Sequence, residues 1–246
     1  MTEQEPRRPW IVGVSGASGT PYAAAALRGL LEAGESVDLV VSRAARLTIL
    51  DETGISFRDA SWREDLAAWL GGGGAANTNA MRSGAVHSDA LKLDPAAKLD
   101  AVRYWPAGDL AAGPSSGSYP AKGMLVIPAS TASVAGIRLG LSKDLLQRAA
   151  DVTLKERRPL VVVVRETPLN SQTLEHLLAL SRAGVVVLPA SPGFYAGAQD
   201  VQRLVDFVAG KALDVLGVEH SLLRRWEGEL GAARQRSGSP SRSRSR

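Results

Sequence analysis

The chain has 246 residues, 45% hydrophobic and only 5% aromatic, with no cysteine. That length and apolar content can bury a sizeable core. The missing cysteines exclude disulfides, thiolate catalysis and cysteine-based zinc sites. A net charge of +4 and a pI near 9.6 suggest a nucleic-acid partner until the charges are placed. Removing the five arginines of "RQRSGSPSRSRSR" (234–246) leaves −1 for residues 1–233. The body is near neutral, and the Ser/Arg-rich tail is expected to be a disordered, solvated end rather than an RNA-binding element. No apolar run approaches the roughly 20 residues of a membrane span. The start "MTEQEPRRPW" has no apolar stretch of signal-peptide type, so the expected compartment is the cytoplasm.

Taken in chain order, Trp10 to Val14 reads as a short buried strand running into the turn "SGASG". A helix is expected over 21–33, with Pro21 suited to its first turn. "SVDLVVS" (36–42) is a second strand and 43–52 a second helix. Residues 55–115 break the rhythm and read as an insertion, at about 55–108, with a helix near 61–70. "GMLVIPAS" (123–130) is the third strand, followed by a helix from about Lys143 to Glu156. "PLVVVVR" gives the fourth strand, "SQTLEHLLALSRA" a helix, "GVVVLPA" the fifth strand and 199–216 a last helix. Continuous Val/Ile/Leu strands alternating with helices indicate an α/β fold, an open parallel sheet of Rossmann or flavodoxin type with helices on both faces.

In such sheets ligands bind beyond the carboxyl ends of the strands. Those ends carry Ser15 to Gly19, Ser42, Ser130 to Ser133, the pair Arg165–Glu166, and "PASPGFY" with Tyr195. Hydroxyls, glycine backbone and helix N-termini suit a phosphate, and a guanidinium adds a two-pronged anion contact. The glycines at 13, 16 and 19 match neither the G-x-G-x-x-G fingerprint nor a Walker A loop. Ser42 and Arg43 stand where a dinucleotide fold would place an acid for the ribose, which disfavours NAD and leaves a mononucleotide such as FMN. Taken alone, "PASTAS" is an ordinary helix N-cap and "LKERR" (154–158) an ordinary solvated helix end.

Together "VGVSGASGTPYAAAALRGL", "VSRAARLTILDETG", "DLAAGPSSGS", "LLQRAADVTLKERRPLVVVVRETPLN" and "PASPGFY" resemble the UbiX-type flavin prenyltransferases over nearly all of 10–52 and 109–226. The resemblance implies a Rossmann-like flavin-binding domain over residues 1–233, dodecameric assembly and no metal. It implies transfer of the dimethylallyl group of dimethylallyl phosphate to N5 and C6 of reduced FMN, giving prenylated FMN for a partner UbiD-type decarboxylase. FMN contacts would fall on Gly16, Ala17, Ser18, Ser42, Ser130, Thr131, Ala132, Ser133 and Arg165. Donor-phosphate contacts would fall on Tyr195 and Lys211, with Lys155 and Arg148 nearby, and catalytic roles on Glu52, Glu166 and Ser18. Trp226 could offer a π face to an allylic cation. Because sites in this family lie between subunits, these residues need not converge in one chain.

Several positions depart from the family pattern. Lys211 replaces a usual arginine, turning a forked contact into a point charge. Ala129 replaces a frequent cysteine and Ser133 a usual threonine. The insertion is long, and the Arg-rich tail is not a family feature. Two rival readings are a peptidyl-cysteine decarboxylase and a non-enzymatic flavin- or RNA-binding protein. The first relies on a histidine early in the chain, whereas the histidines here are His87, His176 and His220. The second draws only on the tail.

Overall fold

The computed structural model describes residues 7–72, 98–194, 200–223 and 225. Its frame is a parallel sheet of six strands: β1 (Trp10–Val14), β2 (Val37–Val41), β3 (Val102–Pro106), β4 (Gly123–Ala129), β5 (Leu160–Val164) and β6 (Val186–Pro189). The spatial order is β3-β2-β1-β4-β5-β6, and every neighbouring pair is parallel. Strands β1, β2, β4 and β5 are buried along their whole length. That burial explains their unbroken aliphatic runs, since a strand covered on both faces has no polar side to present.

Seven helices complete the described fold: α1 (Thr20–Glu32), α2 (Arg43–Thr53), α3 (Trp62–Leu70), α4 (Thr131–Arg138), α5 (Leu145–Lys155), α6 (Ser171–Arg182) and α7 (Val201–Leu216). One apolar cluster joins α1, α3 and α7 to Trp10, Val12, Val14, Leu39, Leu125 and Val163. The other joins α4 and α5 to Ile11, Val40, Met124, Val126 and Val162. Alternate residues along each strand point to opposite faces, so the two clusters are the two sides of one sheet.

The expected α/β class, the parallel sheet and the helix near 61–70 are present. The expected five strands are six, because the stretch read as an insertion contributes β3 at the edge of the sheet, paired with β2 from Val37↔Val102 to Val41↔Pro106. In β3 only Val102 and Tyr104 are buried while Arg103 is exposed. Around Tyr104 lie Phe57 and Trp62 at ring-centroid distances of 5.5 and 5.8 Å. Arg46 and Asp59 share the Tyr104 hydroxyl. Part of the 55–108 segment is thus an aromatic flank of the sheet; residues 73–97 of it, like the tail at 234–246, lie outside the described residues.

Asp38 on β2 is fully buried. It is paired with Arg7 and accepts a hydrogen bond from the Tyr119 hydroxyl at 2.6 Å. Arg7 also donates to Val37 O and Ala101 O, so a charged cluster ties the chain start, β2 and the 113–119 loop together. Burial, with Asp38 next, pushes the Tyr119 phenol up to about 12.

Candidate active site

The strand order reverses between β1 and β4, whose crossovers leave to opposite sides, and this is where an open α/β sheet forms its crevice. Ser15, fully buried, spans that point. Its Oγ donates to Pro128 O at 2.9 Å and accepts from Ser130 N at 2.7 Å. The β1 and β4 exits are thereby fixed relative to each other.

After Ser15 the loop passes very close to α2. A Cβ on Gly16 would sit 2.4 Å from Ala44 Cβ, so no larger residue fits there without moving α2. Gly19 has φ +108° and caps α1, a left-handed conformation that glycine adopts at no steric cost. Beside it a Cβ would meet the Tyr22 ring at 2.7 Å and Arg165 Cγ at 3.8 Å. Ala17 is buried and Ser18 exposed, with its carbonyl accepting Arg165 Nε at 3.1 Å.

Glu52, at the end of α2, reaches back to the start of α1. Oε1 accepts from Gly19 N at 2.8 Å, and Oε2 accepts from Thr20 N at 2.8 Å and Thr20 Oγ1 at 2.6 Å. The carboxylate sits where the positive end of the helix favours an anion. Burial raises the pKa of the Tyr22 phenol, Arg165 opposes the shift and Glu52 adds to it, so the three groups share one electrostatic neighbourhood.

Across the crevice, Ser130 caps α4 by accepting from Ser133 N at 3.2 Å, and its hydroxyl reaches Ser133 Oγ at 3.1 Å. The N–H groups of Thr131 and Ala132, in the first turn of α4, have no helical acceptor. Ser42 likewise caps α2, accepting from Ala45 N at 3.1 Å. Arg165 follows the end of β5, with its backbone N–H on Ala129 O, and Glu166 beside it is exposed, accepting from Thr167 N at 2.9 Å. The Arg–Glu pair ends a buried strand because the crevice opens there. Gly16, Ala17, Ser18, Ser42, Glu52, Ser130 to Ser133, Arg165 and Glu166 all stand along this rim.

The other expected cations are elsewhere in the chain. Lys155 ends α5, a few residues before Pro159, whose carbonyl pairs with Met124 at the start of β4. It is therefore near the opposite edge of the sheet, bonded to Glu156. Arg148, on the same helix, donates to Ser115 O at 3.1 Å and Asp151 at 2.9 Å. Lys211 lies ten residues into α7, about 15 Å along the axis from its start. It faces Asp214 at 3.4 Å. Tyr195 and Trp226 lie outside the described residues. Ser15 was placed at this strand end from the sequence, but its bridging of β1 and β4 was not foreseen, and Tyr22 was passed over. His176 stands in the middle of α6 and His220 is buried against Asp214, so neither joins the rim, while His87 is outside the described residues.

A strand order of nucleotide-binding type, with hydroxyls, the serine-capped starts of α2 and α4 and a guanidinium near the switch point, defines a Rossmann-like protein suited to a phosphate-bearing ligand. A sequence model of the Flavoprotein family matches residues 1–213. The Flavin prenyltransferase UbiX of Streptomyces coelicolor is 67% identical over 226 residues, covering 92% of this chain and 98% of that protein. Its counterpart in Synechocystis sp. is 41% identical over 223 residues, covering 91% and 98%. The chain belongs to the flavoprotein family and, within it, to the UbiX-type flavin prenyltransferases. The crystal structure of AnUbiX (PadA1) in complex with FMN and dimethylallyl pyrophosphate matches with a TM-score of 0.71 and 32% identity, over 91% of this chain and all of that one. A dodecameric FMN-dependent UbiX-like decarboxylase from Escherichia coli O157:H7 matches at 0.70 and 37%, over 90% of this chain and all of that one.

Proposed function

We propose that this chain is a flavin prenyltransferase that binds FMN at the β1/β4 crevice and takes dimethylallyl phosphate as donor, supplying prenylated FMN to a UbiD-type decarboxylase. Reduced FMN supplies the N5 and C6 positions that accept the dimethylallyl group. The observation that carries the reading is the crevice itself: Ser15 locks the two strand exits together, and Arg165, which follows β5, is tied to both of them through Ser18 O and Ala129 O.

The fit to FMN is good on charge and shape. The free N–H groups of Thr131 and Ala132, with the hydroxyls of Ser130, Ser133 and Ser42 and the Arg165 guanidinium, offer donors to one phosphate. Arg165 is oriented by its Nε bond to Ser18 O, which leaves its terminal nitrogens without partners among the described residues. Glu52 holds the 16–20 loop in place through Gly19 and Thr20. Glu166 is the carboxylate free to stabilise developing positive charge on the allyl group or to move a proton.

Donor phosphate needs cations at its departing oxygens. One chain does not bring Lys155 and Lys211 to its own rim, so on this reading the neighbouring subunits of a homo-oligomer contribute cations there. The dodecameric relative supports such an assembly. So do the exposed leucines Leu47 and Leu50 on α2 and Leu174 and Leu178 on α6. No helix of the described residues is long and apolar enough to cross a membrane, in keeping with a cytoplasmic enzyme.

The test is anaerobic incubation with reduced FMN and either dimethylallyl monophosphate or diphosphate, followed by mass analysis of the flavin. A flavin heavier by the dimethylallyl carbons is expected with at least one donor. Unmodified flavin with both overturns the proposal. Deletion of 234–246 separates it from an RNA-binding reading, because the prenyltransferase keeps its activity without the tail.

A further inference from the structure

Asp214, in the last turn of α7, is the meeting point of three side chains from two segments. Lys211 Nζ stands 3.4 Å from Oδ2, Arg225 Nη2 donates to Oδ1 at 3.0 Å, and His220 Nε2 lies 3.1 Å from the same oxygen. Leu222 N donates to His220 Nδ1 at 3.2 Å. With Nδ1 facing the Leu222 N–H, Nε2 is the ring nitrogen that reaches Asp214. His220 is a buried strut, its side chain 1% exposed. It orients the carboxylate from its buried side. Leu222 packs on the apolar cluster of α1 and α7, which folds 217–223 back along α7, and Arg225 meets Asp214.

The charges do not cancel: two cations on one carboxylate leave +1. The exposures are ordered as well. The Asp214 side chain is 19% exposed, whereas those of Lys211 and Arg225 are 48% and 63%. The carboxylate is the inner anchor and both cationic heads reach solvent. Burial alone would raise the Asp214 pKa, yet Arg225 and His220 hold its carboxyl below the usual range, so the anchor stays charged. Arg225 uses one terminal nitrogen on Asp214, and the other has no partner among the described residues. A plain surface ion pair needs no second cation and no buried strut.

We infer that Asp214 seats Lys211 and Arg225 as a pair on the donor phosphate, Arg225 supplying the forked contact that a lysine at 211 lacks. The inference rests on the proposed function, which puts Lys211 at that phosphate. Asp214 is a positioning residue, acting through the two cations, and Arg225 is a binding residue. A guanidinium beside an ammonium restores in two side chains the charge and geometry that a single arginine would offer.

The experiment titrates dimethylallyl phosphate into the full-length, FMN-saturated oligomer under reducing, anaerobic conditions. It records donor KM, kcat and, separately, the FMN Kd. Arg225→Gln is expected to raise donor KM by about tenfold or more, with FMN Kd unchanged. Arg225→Lys should recover only part of the loss, and Asp214→Asn should raise donor KM with FMN Kd again unchanged. If Lys211→Ala raises donor KM while Arg225→Gln does not, the inference is overturned and the proposed function stands. If neither variant changes donor KM while wild-type prenylation proceeds, Lys211 is not on the phosphate and the inference falls with that placement. Wild-type protein that never modifies the flavin instead defeats the proposed function. Should Asp214→Asn fail to assemble, the two exposed Arg225 variants decide the matter alone.

Discussion

Replacing Glu52 by Gln separates a scaffolding role from a chemical one. The carboxylate accepts from Gly19 N, Thr20 N and Thr20 Oγ1, all within 2.6–2.8 Å. A glutamine keeps the volume but only one acceptor oxygen. If that oxygen serves Thr20, the amide NH2 faces Gly19 N–H, and a donor is left unpaired at a cost of roughly 1–3 kcal/mol. Losing the negative charge at the α1 N-terminus adds about 0.3–1 kcal/mol. A loss of about 2–3 kcal/mol is expected overall, a large share of the stability of an ordinary domain. Urea unfolding of the FMN-free protein, at one fixed protein concentration because assembly shifts the midpoint, measures it. FMN should also bind more weakly, since the 16–20 loop loses its anchor. Wild-type stability and FMN affinity combined with lost prenyl transfer would refute this reasoning and make Glu52 a group of the chemistry instead.

Four further outcomes are expected. Glu166→Gln, altering an exposed carboxylate with a single local partner, should slow prenyl transfer by about 100-fold at unchanged FMN affinity; unaltered turnover would return Glu166 to a plain strand end. Lys211→Ala should weaken dimethylallyl phosphate binding about 10- to 150-fold while Lys211→Arg preserves or improves it, and donor titration at saturating FMN reads both. Ser15→Ala strips the acceptor from Ser130 N, so unfolding should show a loss of roughly 1–3 kcal/mol, and flavin titration should show weaker binding. The raised Tyr119 phenol favours its neutral form in the folded state, so its stabilisation is complete below about pH 10 and is lost as pH rises through about 12. Alkaline unfolding curves for Tyr119→Phe should therefore be flatter over that range, and identical slopes would contradict the Asp38 contact.

What could be read from the residues follows from burial. Strands β1, β2, β4 and β5 announce themselves because both faces are covered and each is an unbroken apolar run. β3 does not, because "VRYWP" is an edge strand with an exposed arginine and a terminal proline, lying after a stretch without periodicity. The rim hydroxyls were legible as the residues that follow strands. The cap made by Glu52 was not, since its partners lie 32 and 33 positions away. The position of Lys155 was in principle readable. A helix that leads into a parallel strand must end at the strand's N-terminal edge, so a basic residue just before β5 cannot sit at its carboxyl end.

The Glu52 cap also bears on which nucleotide fits. In dinucleotide folds the start of the first helix takes the pyrophosphate. Here that place is held by the chain's own carboxylate: Gly19 N and Thr20 N are already paired with Glu52, Pro21 has no N–H, and Tyr22 N bonds Gly19 O. Two helix starts remain beside the crevice, α2 and α4, and the backbone of Arg165 bonds the carbonyl of Ala129 just before α4. Ser42 and Arg43 after β2 supply no acid for an adenosine ribose. With the α1 start taken by Glu52 and no acid for an adenosine ribose after β2, the crevice suits a mononucleotide phosphate better than a pyrophosphate. A second phosphate group brought to α1 would meet the Glu52 carboxylate, and like charges there disfavour it. The contact that holds the glycine loop in place thus also disfavours a pyrophosphate at α1.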